Sequence, residues 1–239
     1  MKSKYIVAPV ILFVFTICVI TACRKDAAPQ TPAPVHSFVE EFDTLANAID
    51  RGWVSINNSR PLGTAGWLQG EFGAGKFGNK GFSAASVSYS GQDFAIASTN
   101  GTTDIGTISA WLISPEVMLK DGDQIIFFTR TYVNPADYPD RMQVRLNAVS
   151  SSVNVGSGPL ANRAVANNVG DFTTVLLDIN PTLIKTGYPG DWKEYTLTIS
   201  GVTGTQKRRF AFRYFVSNAG SSGDNSFGIG LDKVQFLSR

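Results

Sequence analysis

Residues 108–131, ISAWLISPEVMLKDGDQIIFFTRT, indicate the fold of this 239-residue chain more clearly than any other stretch. Residues 108–114 predict a β-strand that ends before Pro115, because proline has no backbone N–H to donate to a sheet. The turn-forming run KDGD at 120–123 then leads into a second predicted strand, 124–131. Both strands carry bulky apolar side chains on both faces, so we expect them to lie centrally, covered on each side.

The rest of the chain consists of short strand-like segments separated by runs rich in Gly, Pro, Asn and Ser. Alternating apolar and polar side chains at 142–146, 194–200 and 208–216 predict strands with one buried face and one wetter face. The remaining predicted elements are strands at 38–42, 53–56, 84–89, 93–98, 172–179 and 228–237 and one short helix at 44–49. The pattern predicts an all-β protein, an antiparallel β-sandwich or barrel without internal repeats.

The N-terminus has the pattern of a bacterial export signal. Lys2 and Lys4 precede an apolar run at 5–20, and small residues follow, which predicts a signal peptide at 1–22. The sequence ITAC at 20–23 resembles a lipobox, in which Cys23 becomes the site of lipid attachment. An ordinary signal peptide or a membrane anchor are the alternatives, but the run is short for a spanning helix, which needs ~20 apolar residues.

Three consequences follow for domain organisation, location and charge. Residues 23–37, rich in Ala and Pro, predict a tether, and 38–239 predict one domain. We expect a lipoprotein of a Gram-negative cell envelope, anchored in the outer membrane and exposed at the surface. Removing the signal takes Lys2 and Lys4 from 21 basic residues and leaves 19, equal to the 19 acidic residues. A neutral chain gives no electrostatic argument for a nucleic-acid partner.

Catalytic chemistry lacks its usual residues. Cys18 leaves with the signal, Cys23 is acylated, and the single histidine, His36, lies in the tether. Sites of the Ser-His-Asp, Cys-His and zinc types therefore cannot form in the domain. A glycosidase needs only two carboxylates, but Glu40 and Glu41 are adjacent in a predicted strand and point to opposite faces. We predict that the protein is not an enzyme, with a glycan-acting hydrolase as the least favoured alternative.

Several motifs occur in an order that resembles one known family. They are FVEEFD at 38–43, Gly52-Trp53, Trp67, WLISP at 111–115, Gly122-Asp123 and GLDKV at 230–234. Together they resemble the cleaved-adhesin or choice-of-anchor J domains of bacterial surface proteins, which are similar to MAM domains. The resemblance covers residue 38 to the C-terminus. It implies a jelly-roll β-sandwich of the galactose-binding or concanavalin-like kind, adhesive or binding roles, and no fixed enzymatic activity.

The resemblance also implies a structural calcium ion as the cofactor. Asp43 and Asp232 would share this ion, with Glu40 as a third ligand, since calcium prefers carboxylate and carbonyl oxygens. The family often repeats the second acid at the next position, where this chain has Lys233. The alternative is that these carboxylates cap turns at the surface.

The ligand-binding candidates are aromatic residues in long loops, which are uncommon in compact domains and often functional. The loops are 57–81, 131–141 and 180–192, and the candidate rings are Trp67, Tyr132, Tyr138, Tyr188 and Trp192. Such rings could stack on a glycan or on a protein at the cell surface, whereas Trp53 and Trp111 are predicted to lie in the core. We expect an adhesion or carbohydrate- or protein-binding module, or alternatively an accessory subunit of an envelope complex.

A second polar cluster is predicted around Asp140. Arg130 and Arg145 lie in neighbouring predicted strands and could pair with Asp140 across them. An exposed cross-strand ion pair of this kind contributes less than ~1 kcal/mol, so the cluster carries no functional prediction.

Overall fold

The computed structural model describes residues 36–71, 84–85, 93–131, 138–156 and 164–239, all within the compact unit Pro32–Arg239. The predicted signal peptide, Cys23, most of the tether and Tyr132 lie outside these ranges. The elements, in chain order, are β1 (Phe38–Glu40), α1 (Leu45–Asp50), β2 (Val54–Asn57), β3 (Trp67–Glu71), β4 (Asp93–Ser98), a 3-10 turn (Thr99–Gly101), β5 (Gly106–Ile113), β6 (Val117–Leu119), β7 (Gln124–Thr131), β8 (Met142–Asn147), β9 (Thr174–Ile179), β10 (Lys193–Thr198), β11 (Gln206–Ala219) and β12 (Gly228–Leu237).

The strands form two antiparallel sheets that pack face to face. Sheet one has the order β10-β7-β12-β4-β3, and β1 pairs with the second half of β12. Sheet two has the order β2-β5-β11-β8-β9, and β6 pairs with the start of β11. The peripheral strands are β1, β2, β3 and β6. Without them the strand orders are β4-β12-β7-β10 and β5-β11-β8-β9, and each sheet contains strands from both halves of the chain. This is the double-sheet jelly roll, and it confirms the predicted fold class.

The two strands of the stretch 108–131 are central, as predicted, but they do not pair with each other. β5 lies between β2 and β11 in sheet two, whereas β7 lies between β10 and β12 in sheet one. The intervening residues contain β6 and carry the chain across the sandwich. Apolar side chains on both faces of a strand predict its burial, but they do not specify which strand it pairs with.

The core between the sheets is built largely from aromatic side chains. Trp53 is 1% exposed and contacts the rings of Phe38, Phe42, Phe210 and Phe212. On β11 the inward set predicted from alternation is confirmed, because both phenylalanines and Tyr214 are fully buried there. Aromatic residues bury large apolar areas, so this cluster is the main apolar contact between the two sheets.

The outer face of sheet two is also buried, which corrects the prediction that Gln143 and Arg145 face solvent. The described parts of the connection before β9, 148–156 and 164–172, cover this face, and Val155, Val169 and Phe172 pack on it from outside. Alternation indicates which residues of a strand lie on the outer face of the sheet. It does not indicate whether another segment of the chain covers that face and excludes solvent.

Two strands, β3 and β6, were not predicted. Residues 57–81 were expected to form a loop, yet β3 pairs with β4 along its full length. Gly70 makes this pairing possible, because a Cβ at this position would lie 2.3 Å from the Phe94 ring. A glycine in a strand interior often marks such a close approach, and it obscured the strand pattern in the sequence.

Candidate binding surface at the loop end of the sandwich

Four connections between the sheets meet at one end of the sandwich, and we call residues 99–105, 138–141, 180–192 and 217–228 the loop end. The Thr131 amide at the end of β7 donates to Pro189 O at 2.8 Å, and the Ser226 amide donates to Pro139 O at 3.0 Å. The Asn180 side-chain amide donates to Asp140 O at 2.9 Å. The described loops are thus hydrogen-bonded to one another.

The loop end carries an aromatic pair, an exposed tyrosine beside a partly buried phenylalanine. Tyr138 is 44% exposed, and its ring centroid lies 6.3 Å from that of Phe227, with the planes tilted by 38°. Ile184 is 60% exposed and lies in the same set of loops, since its amide donates to Asn180 Oδ1 at 2.8 Å. Sequence reasoning missed Phe227, although an aromatic residue inside the run GSSGDNSFG at 220–228 was a signal of the same kind as Tyr138.

Two of the predicted ligand-binding rings lie in the core instead. Trp67 is 3% exposed and donates its Nε1–H to Ala110 O at 3.3 Å. Tyr188 is 2% exposed, and its hydroxyl lies 2.7 Å from Thr129 Oγ1. Neither ring is accessible to an external ligand. Both rings belong to the main core cluster, and their burial depends on residues distant in the chain that spacing does not show.

Trp192 is only partly exposed, at the side of the loop end. Its ring packs edge-on against Phe94 at 5.8 Å, and the Arg130 guanidinium lies 6.0 Å from its centroid. Arg130 also pairs with Asp191, 2.9 Å from Nη1 to Oδ1. Of the predicted ligand-binding residues, Tyr138 and Trp192 therefore present ring surface to solvent.

The structure does not gather the three predicted calcium ligands. In the described part of the chain, no group of three or more Asp, Glu, His or Cys side chains is arranged to hold a metal. Arg51 takes the position of a cation at Glu40, with Nε 3.0 Å from Oε2 and Nη2 2.6 Å from Oε1. Glu40 Oε1 also accepts from the Phe42 amide at 3.2 Å. Glu40 is thus committed to a bidentate ion pair.

Asp232 and Asp43 have different surroundings. Asp232 is fully buried where β12 bulges, and its carboxylate accepts 2.7 Å bonds from the amides of Ala85 and Lys233. Partial burial raises the pKa of Asp43, and the nearby carboxylates of Glu41 and Asp93 raise it further. Asp43 therefore lies near other carboxylates, whereas the Asp232 carboxylate accepts hydrogen bonds from backbone amides at the bulge.

Asp140 is fully buried beneath the loop end, and no arginine in the described ranges pairs with it, which corrects the predicted cluster. Its Oδ1 accepts from the Tyr214 hydroxyl at 2.5 Å and from the Phe227 and Gly228 amides at 3.0 Å. Its Oδ2 lies 2.5 Å from Thr131 Oγ1. Burial outweighs these hydrogen bonds and raises the pKa of Asp140 from 3.8 to about 6.

Arg145, the other arginine of that predicted cluster, lies on the outer face of sheet two. Its Nε donates to Gln143 Oε1 at 2.8 Å, and its Nη1 donates to Phe172 O at 2.9 Å. Burial lowers the pKa of Arg145. The position on the outer face explains why it cannot reach Asp140, whose carboxyl group lies between the sheets.

Arg213 is a buried cation on the same face. It is fully buried between the rings of Trp111 and Phe215, 4.9 and 3.9 Å from their centroids. Its guanidinium donates to Ser109 Oγ at 3.0 Å and to the carbonyls of 165 and 166 at 3.1 and 3.0 Å. Burial, then the neighbouring Arg145 and Arg141, lower its pKa to about 8. Arg213 thus fixes residues 164–172, which we call the covering segment, to sheet two.

A cavity of about 200 Å³ lies at the opposite end of the sandwich from the loop end. It is lined by Phe38, Val39, Glu40, Arg51, Trp53 and Pro115. Its polar wall is the Arg51–Glu40 pair, whose charges compensate each other.

Comparison with known proteins is consistent with this architecture. No protein-family model and no curated protein matches the chain. Among solved structures, the K1 cleaved adhesin domain of Lys-gingipain from Porphyromonas gingivalis W83 is similar, with 21% identity, a TM-score of 0.52, and coverage of 86% of this chain and 99% of that one. The K2 cleaved adhesin domain of Lys-gingipain has 19% identity, a TM-score of 0.51, and coverage of 84% and 99%. At these identities the likeness shows the fold, an adhesin-like β-sandwich.

No helix in the described ranges is long and apolar enough to cross a membrane.

Proposed function

We propose that this protein is a non-catalytic binding module of the bacterial cell envelope and that the loop end carries its ligand surface. The observation that supports this is the exposed Tyr138 ring with the partly buried Phe227 ring beside it, held on loops that are anchored by the buried Asp140. Exposed aromatic rings on a rigid support are the usual anchors of binding surfaces. The adhesin domains that share the fold support the same role.

A glycan or a protein at the cell surface is the proposed ligand. Tyrosine and phenylalanine offer apolar ring faces, and the tyrosine hydroxyl adds a polar group, so the pair suits a sugar ring or an apolar protein side chain. The described loop end has exposed carboxylates at Asp104, Asp191 and Asp224. However, Asp191 is paired with Arg130 and Asp224 accepts from Asn218, so a hydrolase stays the least favoured alternative.

Attachment to the membrane through a lipid on Cys23 is part of the proposal. It is supported by the ITAC sequence at 20–23 and by the apolar run before it. Two or more acyl chains would anchor the protein stably. Metabolic labelling with a fatty acid tests this, because a Cys23→Ser variant should lose the label that the unsubstituted chain acquires.

Tyr138→Ala is expected to weaken ligand binding at least about tenfold, which corresponds to about 1.4 kcal/mol of lost stacking and burial. The measurement is a glycan-array screen of the full chain in mild detergent, followed by titration calorimetry with the strongest glycan. Phe227→Ala should show a similar loss. The unfolding midpoint should change little in Tyr138→Ala because the ring is exposed.

Leu68→Ala is the matched control, since Leu68 is 41% exposed and lies on β3, outside the four loops of the loop end. It should bind like the unsubstituted protein. Equal loss in Leu68→Ala and Tyr138→Ala would refute the assignment of the surface. If no glycan binds and an envelope protein co-purifies, the accessory-subunit alternative replaces the glycan ligand, and release of products from a polysaccharide would indicate a hydrolase.

Calcium binding stays a prediction drawn from the family resemblance. Among the described residues no three acidic side chains are arranged around an ion and Glu40 is engaged by Arg51, which leaves Asp43, near the carboxylates of Glu41 and Asp93, as the place where an ion would bind. If an ion binds there, calcium should raise the melting temperature by several degrees, since a ligand that binds only the folded state stabilises it. Differential scanning calorimetry with calcium and with a chelator gives the answer, and identical melting curves would reject the site.

A further inference from the structure

Two threonines on β7, Thr129 and Thr131, make the same arrangement of hydrogen bonds in the core. Thr129 Oγ1 lies 2.6 Å from Gly230 O and 2.7 Å from the Tyr188 hydroxyl. A carbonyl oxygen can only accept. The single proton of Thr129 therefore goes to Gly230 O, and the threonine oxygen accepts the proton of Tyr188.

Thr131 repeats this pattern with a carboxyl group in place of the phenol. Its Oγ1 lies 2.9 Å from Gly228 O and 2.5 Å from Asp140 Oδ2. If Thr131 donates to the carbonyl, as Thr129 does, then Oδ2 must supply the proton for the shorter contact. A neutral carboxylic acid has such a proton, whereas a carboxylate does not.

The remaining contacts of Asp140 are compatible with the neutral acid. Oδ1 accepts from the Tyr214 hydroxyl and the amides of Phe227 and Gly228, so every polar atom of a carboxylic acid protonated on Oδ2 is satisfied. No basic side chain bonds the carboxyl group in the described part of the chain. A buried charge without a counter-ion is costly, and such a group tends to be neutral instead.

We propose that Asp140 is a buried proton-binding site that holds the loop end together as a neutral acid at mildly acidic pH and loosens it on ionisation. When the proton leaves, Thr131 has to turn its own proton towards Oδ2, and Gly228 O loses that hydrogen bond. The connected segments 138–141 and 226–228 are the ones that carry Tyr138 and Phe227.

The titratable groups that face Asp140 are Tyr214 from β11 and Tyr188 from the connection between β9 and β10. Burial raises the pKa of both phenols well above 10, so both stay neutral across the relevant range. The raised pKa of Asp140 means that the folded protein binds more protons than the unfolded chain between about pH 4 and pH 6. This contribution to stability is complete below about pH 4 and is lost as pH rises through about 6.

The test is urea unfolding of the full chain in mild detergent at pH values from 4 to 8. Relative to Asp140→Asn, the folding equilibrium constant of the unsubstituted protein should fall about 100-fold between pH 4 and pH 7. Asp140→Asn should remain folded and lack this component, because its amide Nδ2 can donate to Thr131 while its Oδ1 accepts the other three bonds. Tyr188→Phe is the matched control and should keep the pH dependence, since it removes the donor of the parallel arrangement at Thr129.

Infrared spectroscopy supplies a second measurement that does not depend on a variant. The folded protein at pH 5 should show the carbonyl stretch of a neutral carboxylic acid that exchanges slowly with deuterium, because the group is buried. Absence of this band would overturn the proposal. This outcome can be measured even if Asp140→Asn fails to fold. Equal pH dependence in Asp140→Asn and the unsubstituted protein would overturn it as well.

Discussion

Replacing Trp53 with alanine is expected to lower the free energy of unfolding by about 4 kcal/mol, within the range measured for buried tryptophan and phenylalanine. Trp53 is 1% exposed and contacts Phe42 at a centroid distance of 5.1 Å and Phe210 at 6.2 Å. Its removal leaves a cavity in the main contact between the sheets, and the surrounding rings can collapse into it only in part. Chemical denaturation at constant pH measures the loss.

Two further variants test whether the cost comes from lost core volume. Trp53→Phe should cost much less, about 1 to 2 kcal/mol, because the indole Nε1–H has no hydrogen-bond partner among the described residues and only volume is lost. Trp192→Ala should cost about 1 kcal/mol or less, because Trp192 is partly exposed and lies at the side of the sandwich, where it packs edge-on against Phe94. Equal costs for Trp53→Ala and Trp192→Ala would contradict the location of the core.

Replacing Arg213 with alanine is expected to destabilise the protein by about 3 kcal/mol, since it removes buried stacking and leaves polar groups without partners. The guanidinium fills the space between Trp111 and Phe215 and donates to the carbonyls of residues 165 and 166. Without it the covering segment loses its link to sheet two. Denaturant unfolding gives the cost, and hydrogen exchange should show faster opening of residues 164–172.

Arg213→Met separates packing from charge. Methionine retains much of the length and apolar volume, and a buried charge can often be replaced by an apolar residue at little cost, so this variant should lose less than Arg213→Ala. Lys207→Ala is the surface control and should cost less than about 1 kcal/mol, because the pair of Lys207 and Glu116 is separated by 3.5 Å and is exposed on the lysine side. If Arg213→Ala resembled Lys207→Ala, the guanidinium would not fix the segment.

Local pattern was sufficient for most of the elements and for the class of fold, although β3 and β6 were missed. The strands at 93–98, 124–131 and 228–237 coincide with β4, β7 and β12, and the short helix was also placed correctly. Alternation at 208–216 correctly identified Phe210, Phe212 and Tyr214 as inward. Side-chain periodicity depends on neighbours along one strand, and the chain itself contains that information.

Pairing partners, by contrast, required the tertiary structure. β5 and β7 are consecutive predicted strands, yet they belong to different sheets, because a jelly roll pairs strands that are distant in the chain. For β3 the reason is different, because it pairs with the next described strand, β4, and its own pattern in the sequence is interrupted by Gly70.

The candidate site shows the same division. The sequence by itself determined that loop aromatics were the candidates, that strand aromatics form the core, and that the domain lacks cysteine and histidine for catalysis. Only the tertiary structure decided that Tyr188 and Trp67 are buried, that Phe227 joins Tyr138 at the surface, and that Asp140 meets Thr131 and Tyr214 instead of an arginine. The physical reason is that exposure and hydrogen-bond partners are set by segments far away in the chain, which periodicity along one strand does not encode.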